Sequence, residues 1–268
     1  MNKPMKNMMI ATAVLAVAGS ATASIWSGAA LDDDWDNAGN WDVAPTAWSG
    51  EVVTLDTVGA IVNKAAGNDA PGLGDINVVN GALNVSGHIG GGMMRVGQGA
   101  GNSGAVTVVS GDGSFGGWKS LQLWGASIGE AGTGSFVNNG GTALMGVSGA
   151  WFVLGGTGTM NLNGGYTTID VDATGATFIL DGVIDLAGGA LAIKGDVLSE
   201  AGGWILAQKL TSYGQTADAS DFTEKFAFDF DTTNTGYTTI TAVPEPATLG
   251  MVALMGGGIL WIRKRLLI

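Results

Sequence analysis

The sequence has no cysteine, one histidine and few charged side chains, and each shortage excludes a class of protein. Without cysteine, the fold cannot depend on disulfides or on thiolate metal sites, and a single histidine nearly excludes zinc. Charged residues make up 13% of the chain and hydrophobic residues 46%. This balance argues against disorder, which combines low hydrophobicity with high net charge. The fold must therefore be stabilised by its core without disulfide bonds or thiolate-bound metal.

Basic residues are scarce in the body of the chain. The formal net charge is −12, yet five of the eleven basic residues lie close to the two ends. Between residues 24 and 242, six basic residues stand against 22 acidic ones. Because affinity for phosphates comes from basic patches, we predict that nucleic acid is not a partner.

Glycine is abundant, with 47 residues, and it recurs at regular intervals. Five turn-like dipeptides with glycine in second place follow one another at spacings of 30, 29, 24 and 24 residues. Short stretches of alternating apolar residues lie between them, which predicts strands with one inward face. The turn glycines are Gly81, Gly111, Gly140, Gly164 and Gly188. A repeat of 24 to 30 residues cannot bury its own apolar face, so the repeats must stack on one another.

This repeat predicts an all-β protein, and specifically a short right-handed parallel β-helix or solenoid with capping strands. A sandwich of antiparallel hairpins is the alternative architecture, because Asn-Gly turns also favour hairpins. We assign residues 61–200 to the glycine-rich repeats. Two pairs of asparagines near the turns, Asn138 with Asn139 and Asn161 with Asn163, are expected to form ladders or turns that satisfy backbone groups.

Both ends of a stack need a cover, because an open end exposes apolar core and unpaired strand edges. We assign residues 24–60 to an N-terminal cap and residues 201–242 to a C-terminal β cap. In the C-terminal cap, residues 204–210, 226–230 and 237–242 are predicted strands. The N-terminal cap has four tryptophans that are suited to burial, and a sugar-stacking platform is the functional alternative for the same side chains. They are Trp26, Trp35, Trp41 and Trp48.

The first 23 residues have the pattern of a secretory signal peptide. Lys3 and Lys6 precede an apolar run over residues 8–18, and Ala21 and Ala23 provide the small-residue cleavage pattern. We predict an N-terminal signal helix, export, and cleavage by signal peptidase after Ala23.

The last 26 residues, 243–268, have the pattern of a second targeting signal. A short motif is followed by an uncharged, mostly apolar run over residues 247–262 and by a basic cluster. We predict a C-terminal transmembrane helix over 247–262, with the basic cluster on the cytoplasmic side of the inner membrane. The motif is Pro244, Glu245 and Pro246, and the cluster is Arg263, Lys264 and Arg265.

This tripartite tail resembles the PEP-CTERM sorting signal of Gram-negative bacteria. The resemblance covers about 26 residues and concerns sorting, so it does not indicate the function of the body. It implies recognition by a membrane-embedded exosortase, which cleaves near the motif and releases or transfers the protein to the exterior. A membrane-anchored intermediate would then lead to a cell-surface or extracellular protein. The Gly-Asn-Trp segment ending at Trp41 is also similar to the opening of autotransporter-like and PEP-CTERM β-repeat proteins.

Few residues are candidates for catalysis. His88 lies in a glycine-rich segment that predicts an exposed loop, and no spacing pairs it with a nucleophile. Asp170 and Asp172 are expected on one face of a strand, with Asp181 and Asp185 about one turn later, a pattern found in polysaccharide-degrading β-helix enzymes. Such enzymes surround their acids with groups that hold the substrate, but the body offers one arginine, Arg95, and scattered lysines. We therefore predict solvent-facing aspartates and no catalytic residue.

One hypothesis concerns a bound ion. Asp32, Asp34 and Asp36 have the alternating spacing of a calcium loop. The sixth position of that loop is Asn37, where an EF-hand has glycine, and the twelfth is Val43, where it has glutamate. Calcium is accordingly the only cofactor that the sequence suggests.

The remaining hypothesis concerns glycans. Trp118, Trp124 and Trp151 are candidate contacts for extracellular polysaccharide. Taken together, the sequence predicts an exported, non-enzymatic surface or extracellular-matrix protein. A carbohydrate-binding module is the alternative function, and a polysaccharide-degrading β-helix enzyme is a third.

Overall fold

The computed structural model describes residues 23–66, 69–109, 120–218 and 220–244, and within these ranges the protein is mostly β. The strands are β1 Ala23–Ile25, β2 Val52–Lys64, β3 Ile76–Val85, β4 Ile89–Val96, β5 Ser103–Val108, β6 Leu121–Ile128, β7 Thr133–Met145, β8 Trp151–Leu154, β9 Gly158–Ile169, β10 Phe178–Leu180, β11 Val183–Leu186, β12 Ala190–Lys194, β13 Leu210–Ser212, β14 Phe226–Phe230 and β15 Tyr237–Ala242. The α-helices are α1 Leu198–Leu206 and α2 Phe222–Lys225, and short 3-10 segments cover Ala38–Asn40 and Val147–Gly149.

Most strands pair in parallel with a strand that comes about one repeat later in the chain. β7 and β9 pair along most of their length, and there Asn163 Nδ2 donates to Asn139 Oδ1 at 2.9 Å, as the predicted ladder requires. Among the described strands, antiparallel pairing is limited to β15, which lies beside β12 and β14. Antiparallel hairpins are therefore the wrong architecture for the repeats, because successive apolar stretches run side by side in one direction.

Five strands close a ring of parallel pairings. β3 pairs with β4, β4 with β6, β6 with β7, β7 with β5, and β5 with β3. The ring closes because long strands bend and change neighbours along their length. The start of β3 pairs with β4 and its end with β5, while the start of β6 pairs with β7 and its end with β8. One strand can thus contribute to two sides of the structure.

The core consists of three columns of buried side chains, in which each member is the register partner of the next. Every second residue of each strand points inward, so the columns follow from the alternating apolar pattern. The first column is Val53, Ile76, Met94, Ala126, Phe152 and Phe178. The second is Val62, Leu83, Val106, Phe136, Met160, Ile184 and Leu210. The third is Ile89, Leu121, Ala143, Thr167 and Leu191.

Glycines mark the corners between these columns. Gly81 adopts a φ of 87° and Gly188 a φ of 130°, while Gly140 and Gly164 lie inside β7 and β9. The predicted turns are therefore corners through which the chain passes to the next column, and Gly111 lies outside the described residues. Elsewhere the requirement is space, because a Cβ on Gly158 would lie 2.3 Å from the Ile128 carbonyl oxygen at the end of β6.

Three tryptophans form a buried cluster at the N-terminal end. Trp41 makes edge contacts with Trp26 and Trp35 at ring-centroid distances of 5.0 and 4.9 Å, and its Nε1 donates to the Trp35 carbonyl oxygen at 2.8 Å. The fourth tryptophan assigned to this cap, Trp48, is exposed. Its grouping with the buried three is wrong, because it belongs to a cleft on the outer surface described below.

At the other end, the strand predicted over 204–210 is wrong, since residues up to Leu206 belong to α1. Ala201 and Ile205 are one helical turn apart and both are buried, while the Trp204 ring stacks on Phe178 at 5.5 Å. This i, i+4 pair favours a helix, and that helix lies across the end of the first column. The strands predicted over 226–230 and 237–242 are confirmed as β14 and β15.

No helix in the described ranges is long and apolar enough to cross a membrane. The predicted signal peptide up to residue 22, including Ala21, lies outside the described residues. Glu245, Pro246, the apolar run 247–262 and the basic cluster do so as well. Ala23 is the first residue of β1, where it pairs in parallel with Val52.

Candidate functional site

Three tryptophan side chains are exposed on the surface of the described body. Trp48, Trp124 and Trp151 are 64%, 66% and 55% exposed. Two of them, Trp124 and Trp151, are predicted glycan contacts, while the third predicted contact, Trp118, lies outside the described residues. Clusters of exposed apolar groups on soluble proteins usually mark binding surfaces.

Trp48 is held in an unusual backbone conformation. Its φ is 62°, in the left-handed region that costs a residue with a Cβ about 1–2 kcal/mol. Its backbone N–H donates to the Pro71 carbonyl oxygen at 2.7 Å, and Gly50 N–H donates to the Gly72 carbonyl oxygen at 3.0 Å. A Cβ on Gly72 would lie 2.5 Å from Trp48 Cε3, so the indole rests directly on the glycine backbone. The local hydrogen bonds therefore fix Trp48 on the surface.

Trp48 and Trp124 line one cleft of about 270 Å³. Its floor crosses three neighbouring chain segments, since Leu73 N–H donates to the Gly90 carbonyl oxygen and Gly91 pairs with Leu123. The other lining residues are Gly72, Leu73, Gly90, Gly91, Gly92 and Gln122. Because most of this floor is glycine, a ligand can approach the backbone closely between the two indole rings.

A second cavity of about 340 Å³ follows directly along the chain, since Gly92 lines the first cleft and Met93 the second. Gly125 on β6 is the register partner of Met93 on β4 and of Trp151 on β8, so these two residues lie on either side of it. A Cβ on Gly125 would lie 2.2 Å from Met93 Sδ, so the thioether covers the space that this glycine leaves. The lining residues are Met93, Arg95, Gln98, Ser127, Glu130, Trp151 and Val153.

Polar groups surround this second cavity in a hydrogen-bonded network. Ser127 Oγ donates to Glu130 Oε2 at 2.8 Å, and Gln98 Nε2 donates to the same carboxylate oxygen at 3.2 Å. Arg95 forms an ion pair with Asp75 at 2.5 Å. The arginine charge is thus balanced locally, and Glu130 adds a negative charge to the rim.

The aspartates considered for catalysis do not form a pair. β9 ends at Ile169, so Asp170 and Asp172 do not share a strand face as expected. Asp172 is exposed, and a hydrogen bond from the Thr174 side chain lowers its pKa. Asp181 forms an ion pair with Lys209 at 3.0 Å, and Asp185 accepts hydrogen bonds from the Thr211 hydroxyl and Gly214 N–H. Each carboxylate therefore has its own structural partner.

Asp170 lies at the centre of a small polar cluster. Its Oδ1 accepts hydrogen bonds from Lys194 Nζ and from the Tyr237 hydroxyl, both at 2.8 Å, and its Oδ2 accepts one from Ser148 N–H at 3.1 Å. Burial raises the pKa of Asp170, but these hydrogen bonds and the charge of Lys194 outweigh it, so the pKa lies below its usual value. A carboxyl held ionised in this way cannot act as a general acid near neutral pH.

Tyr237 is expected to titrate at unusually high pH for a tyrosine. Burial, together with the hydrogen bond and charge of Asp170, raises the pKa of Tyr237 to about 12. Because this pKa is above the unfolded value of about 10, the stabilising contribution of neutral Tyr237 is complete below pH ~10 and is lost as pH rises towards 12. A tyrosinate absorbance titration should show this late step, and Tyr237→Phe should remove it.

Two controls accompany this titration. Asp170→Asn should move the late step towards lower pH, because the repelling charge is removed. Tyr213→Phe should leave the late step in place, because Tyr213 is a partly exposed residue elsewhere. A late step that persists in Tyr237→Phe would contradict the assignment.

Asp32, Asp34 and Asp36, the candidate calcium ligands, have hydrogen-bond and ion-pair partners within the protein. Hydrogen bonds from the Asn37 and Asn40 side chains occupy Asp32 and lower its pKa. Asp36 instead pairs with Lys64 at 2.7 Å. Within the ranges that the structure covers, no group of three or more acidic or histidine side chains could hold a metal ion. Amide donors and a lysine thus occupy the carboxylates that the spacing suggested as ligands.

The expectation of an exposed loop histidine is wrong, since His88 is buried. Its carbonyl oxygen accepts a hydrogen bond from Ala70 N–H at 2.9 Å, and the next residue, Ile89, begins β4. The glycine-rich segment around it is therefore part of the parallel pairing rather than a surface loop.

The separation of Trp48 from the three buried tryptophans was not predicted from the sequence, nor was the polar rim formed by Arg95, Gln98 and Glu130. One available signal was the run Gly90–Gly92, because consecutive glycines in a strand mark close approach of another group. Comparison of the chain with models of known protein families, with curated proteins and with solved structures finds no match. The candidate site is therefore defined by its own geometry.

Proposed function

We propose that this chain is an exported, non-enzymatic surface or extracellular-matrix protein whose body is a short right-handed parallel β-helix. The observation that carries the proposal is the continuity of the three buried columns through successive repeats. Such a body is a rod-like scaffold in which each repeat covers the apolar face of the next.

The order of the columns along the chain supports the β-helix. The chain passes from Ile76 in the first column to Leu83 in the second and Ile89 in the third, and then returns to the first at Met94. The closed ring of five strands is then part of adjoining turns of one continuous winding. Right-handed winding is proposed because parallel crossovers are almost always right-handed.

The partners of the aspartates support a non-enzymatic role. Asp170 and Asp181 pair with lysines, and Asp185 accepts hydrogen bonds from a threonine and a backbone amide. These contacts join strands of neighbouring repeats. The same residues that resemble a glycosidase pattern in the sequence thus stabilise the scaffold.

The resemblance of residues 243–268 to a PEP-CTERM tail supports the route of export. In this proposal, signal peptidase removes residues 1–23, and the segment 247–262 holds the protein in the inner membrane. An exosortase then acts near Pro244, and the body reaches the cell surface or the exterior.

The sorting step can be tested in cells that contain an exosortase. Replacing Pro244, Glu245 and Pro246 with alanine should leave the protein in the membrane fraction with its tail uncut, as measured by fractionation and mass. Thr235→Ala, in an exposed loop of the body, is the matched control and should be released normally. Normal release of the triple variant would refute the assignment.

Binding of extracellular polysaccharide is a second candidate function, favoured by the exposure of Trp124 and Trp151. Indole rings that lie open on a rigid sheet offer flat apolar surfaces to the C–H faces of sugars, and they lose little side-chain entropy on binding. A matrix protein with such a surface would hold polysaccharide outside the cell.

A further inference from the structure

We propose that Trp48 and Trp124, with the glycine floor between them, form a binding site for a neutral polysaccharide, and that the sugar chain continues over Met93 and Trp151. This inference deepens the polysaccharide-binding candidate and depends on it. It assigns the binding role to Trp48, for which the sequence left burial in the cap and sugar stacking as alternatives.

The shape of the cleft fits a chain of sugar rings. The floor crosses three neighbouring segments of the parallel sheet, which places its outer rows about 10 Å apart. Trp48 lies beyond the first row, against Gly72, and Trp124 lies on the third row. A short oligosaccharide can lie across the glycines while one indole stacks on a sugar at each end.

The site is preorganised, which favours binding. Trp48 is held in a left-handed conformation by backbone hydrogen bonds on both sides, and Gly72 leaves the space in which its ring lies. Trp124 projects from β6, a strand paired along its length with β4. Because the aromatic side chains sit on an ordered backbone, little conformational freedom remains to be lost on binding.

Polar groups along the path match the hydroxyl groups of sugars. Gln122 lines the first cleft, and Gln98 and Glu130 line the second. These side chains carry both donors and acceptors, the combination that hydroxyl groups need. A pocket with aromatic walls and a few placed polar groups is the usual form of a small-ligand site.

The charged side chains along the two cavities favour a neutral ligand. Arg95, the cation that lines the second cavity, already pairs with Asp75, and Glu130 lies on the same rim. The chain as a whole carries a net charge of −12. An acidic polysaccharide would meet repulsion here, whereas a neutral chain of hexoses would not.

The test is native affinity electrophoresis of the full-length chain through gels that contain hydroxyethylcellulose or galactomannan, with alginate as the acidic comparison. We expect retardation by at least one neutral polymer and none by alginate. Trp48→Ala and Trp124→Ala should each weaken binding at least about tenfold, as aromatic hot spots do. Leu206→Ala, which also removes an exposed apolar side chain but lies on α1, is the matched control and should bind normally.

Trp151→Ala tests whether the sugar chain continues from the first cleft over the second cavity. It should weaken binding of the polymer while leaving binding of a trisaccharide unchanged. Circular dichroism of every variant separates lost binding from lost folding, and Trp48→Phe should retain part of the affinity if stacking is the cause.

Three results would overturn the inference: no retardation by any neutral polymer, retardation by alginate alone, or unchanged binding in both Trp48→Ala and Trp124→Ala. None of these would affect the sorting experiment, which depends on the tail. A failure of the glycan site is therefore distinguishable from a failure of the proposed surface role.

Discussion

Phe136→Ala is expected to lower the free energy of unfolding by about 4 kcal/mol. Phe136 is fully buried in the middle of the second column, between its register partners Val106 and Met160. Removing a buried phenyl ring loses its transfer free energy and leaves a cavity, and such changes cost about 3–5 kcal/mol. The parallel strands on both sides are fixed by their own hydrogen bonds, so the cavity cannot easily collapse. Urea unfolding followed by tryptophan fluorescence measures the loss.

Phe230→Ala is the matched control, since it makes the same chemical change at a residue that is 41% exposed on β14. We expect it to cost less than about 1.5 kcal/mol, because less apolar area returns to water. Equal losses for the two variants would contradict the arrangement of the second column.

Asp36→Asn is expected to cost about 3 kcal/mol of unfolding free energy. Its partner Lys64 is only 1% exposed, and the two groups lie 2.7 Å apart. The variant would leave the ammonium group buried beside a neutral amide, and removing one partner of a buried ion pair typically costs about 3–5 kcal/mol. Urea unfolding at neutral pH provides the measurement.

Two further variants identify burial of the charge as the cause. Lys64→Met should cost less than Asp36→Asn, because the remaining carboxylate is partly exposed and water can solvate it. Asp181→Asn breaks the surface pair with Lys209, in which both side chains are accessible, and should cost less than about 1 kcal/mol. If Asp181→Asn cost as much as Asp36→Asn, the explanation from burial would fail.

The features most accessible from the sequence are those that depend on local pattern. Alternation of apolar residues predicts inward faces such as Met160 and Leu162, and both are buried. Asn139 and Asn163, one repeat apart, form the predicted ladder. In these cases the inference needs only the period of a strand and the spacing of a repeat.

The predictions that fail depend on which element lies next to a residue. Residues 204–206 have an apolar composition that suits a strand or a helix. The helix buries Ala201 and Ile205 and stacks Trp204 on Phe178, the last member of the first column. His88 lies in a glycine-rich segment that could form a loop, but pairing with its neighbours draws it into the interior. Asp36, which the sequence suggested as a calcium ligand, forms an ion pair with Lys64, and that contact between residues distant in sequence was not predicted.

Taken by itself, the sequence determined that this protein is mostly β and repetitive, because side-chain alternation and glycine spacing act over a few residues. It also carries the terminal patterns on which the proposed export route depends. Only the tertiary structure decided that the repeats pair in parallel and that Trp48 meets Trp124 across a glycine floor. That cleft joins residues far apart in the chain, and parallel pairing brings them together because each strand takes its neighbour from another repeat.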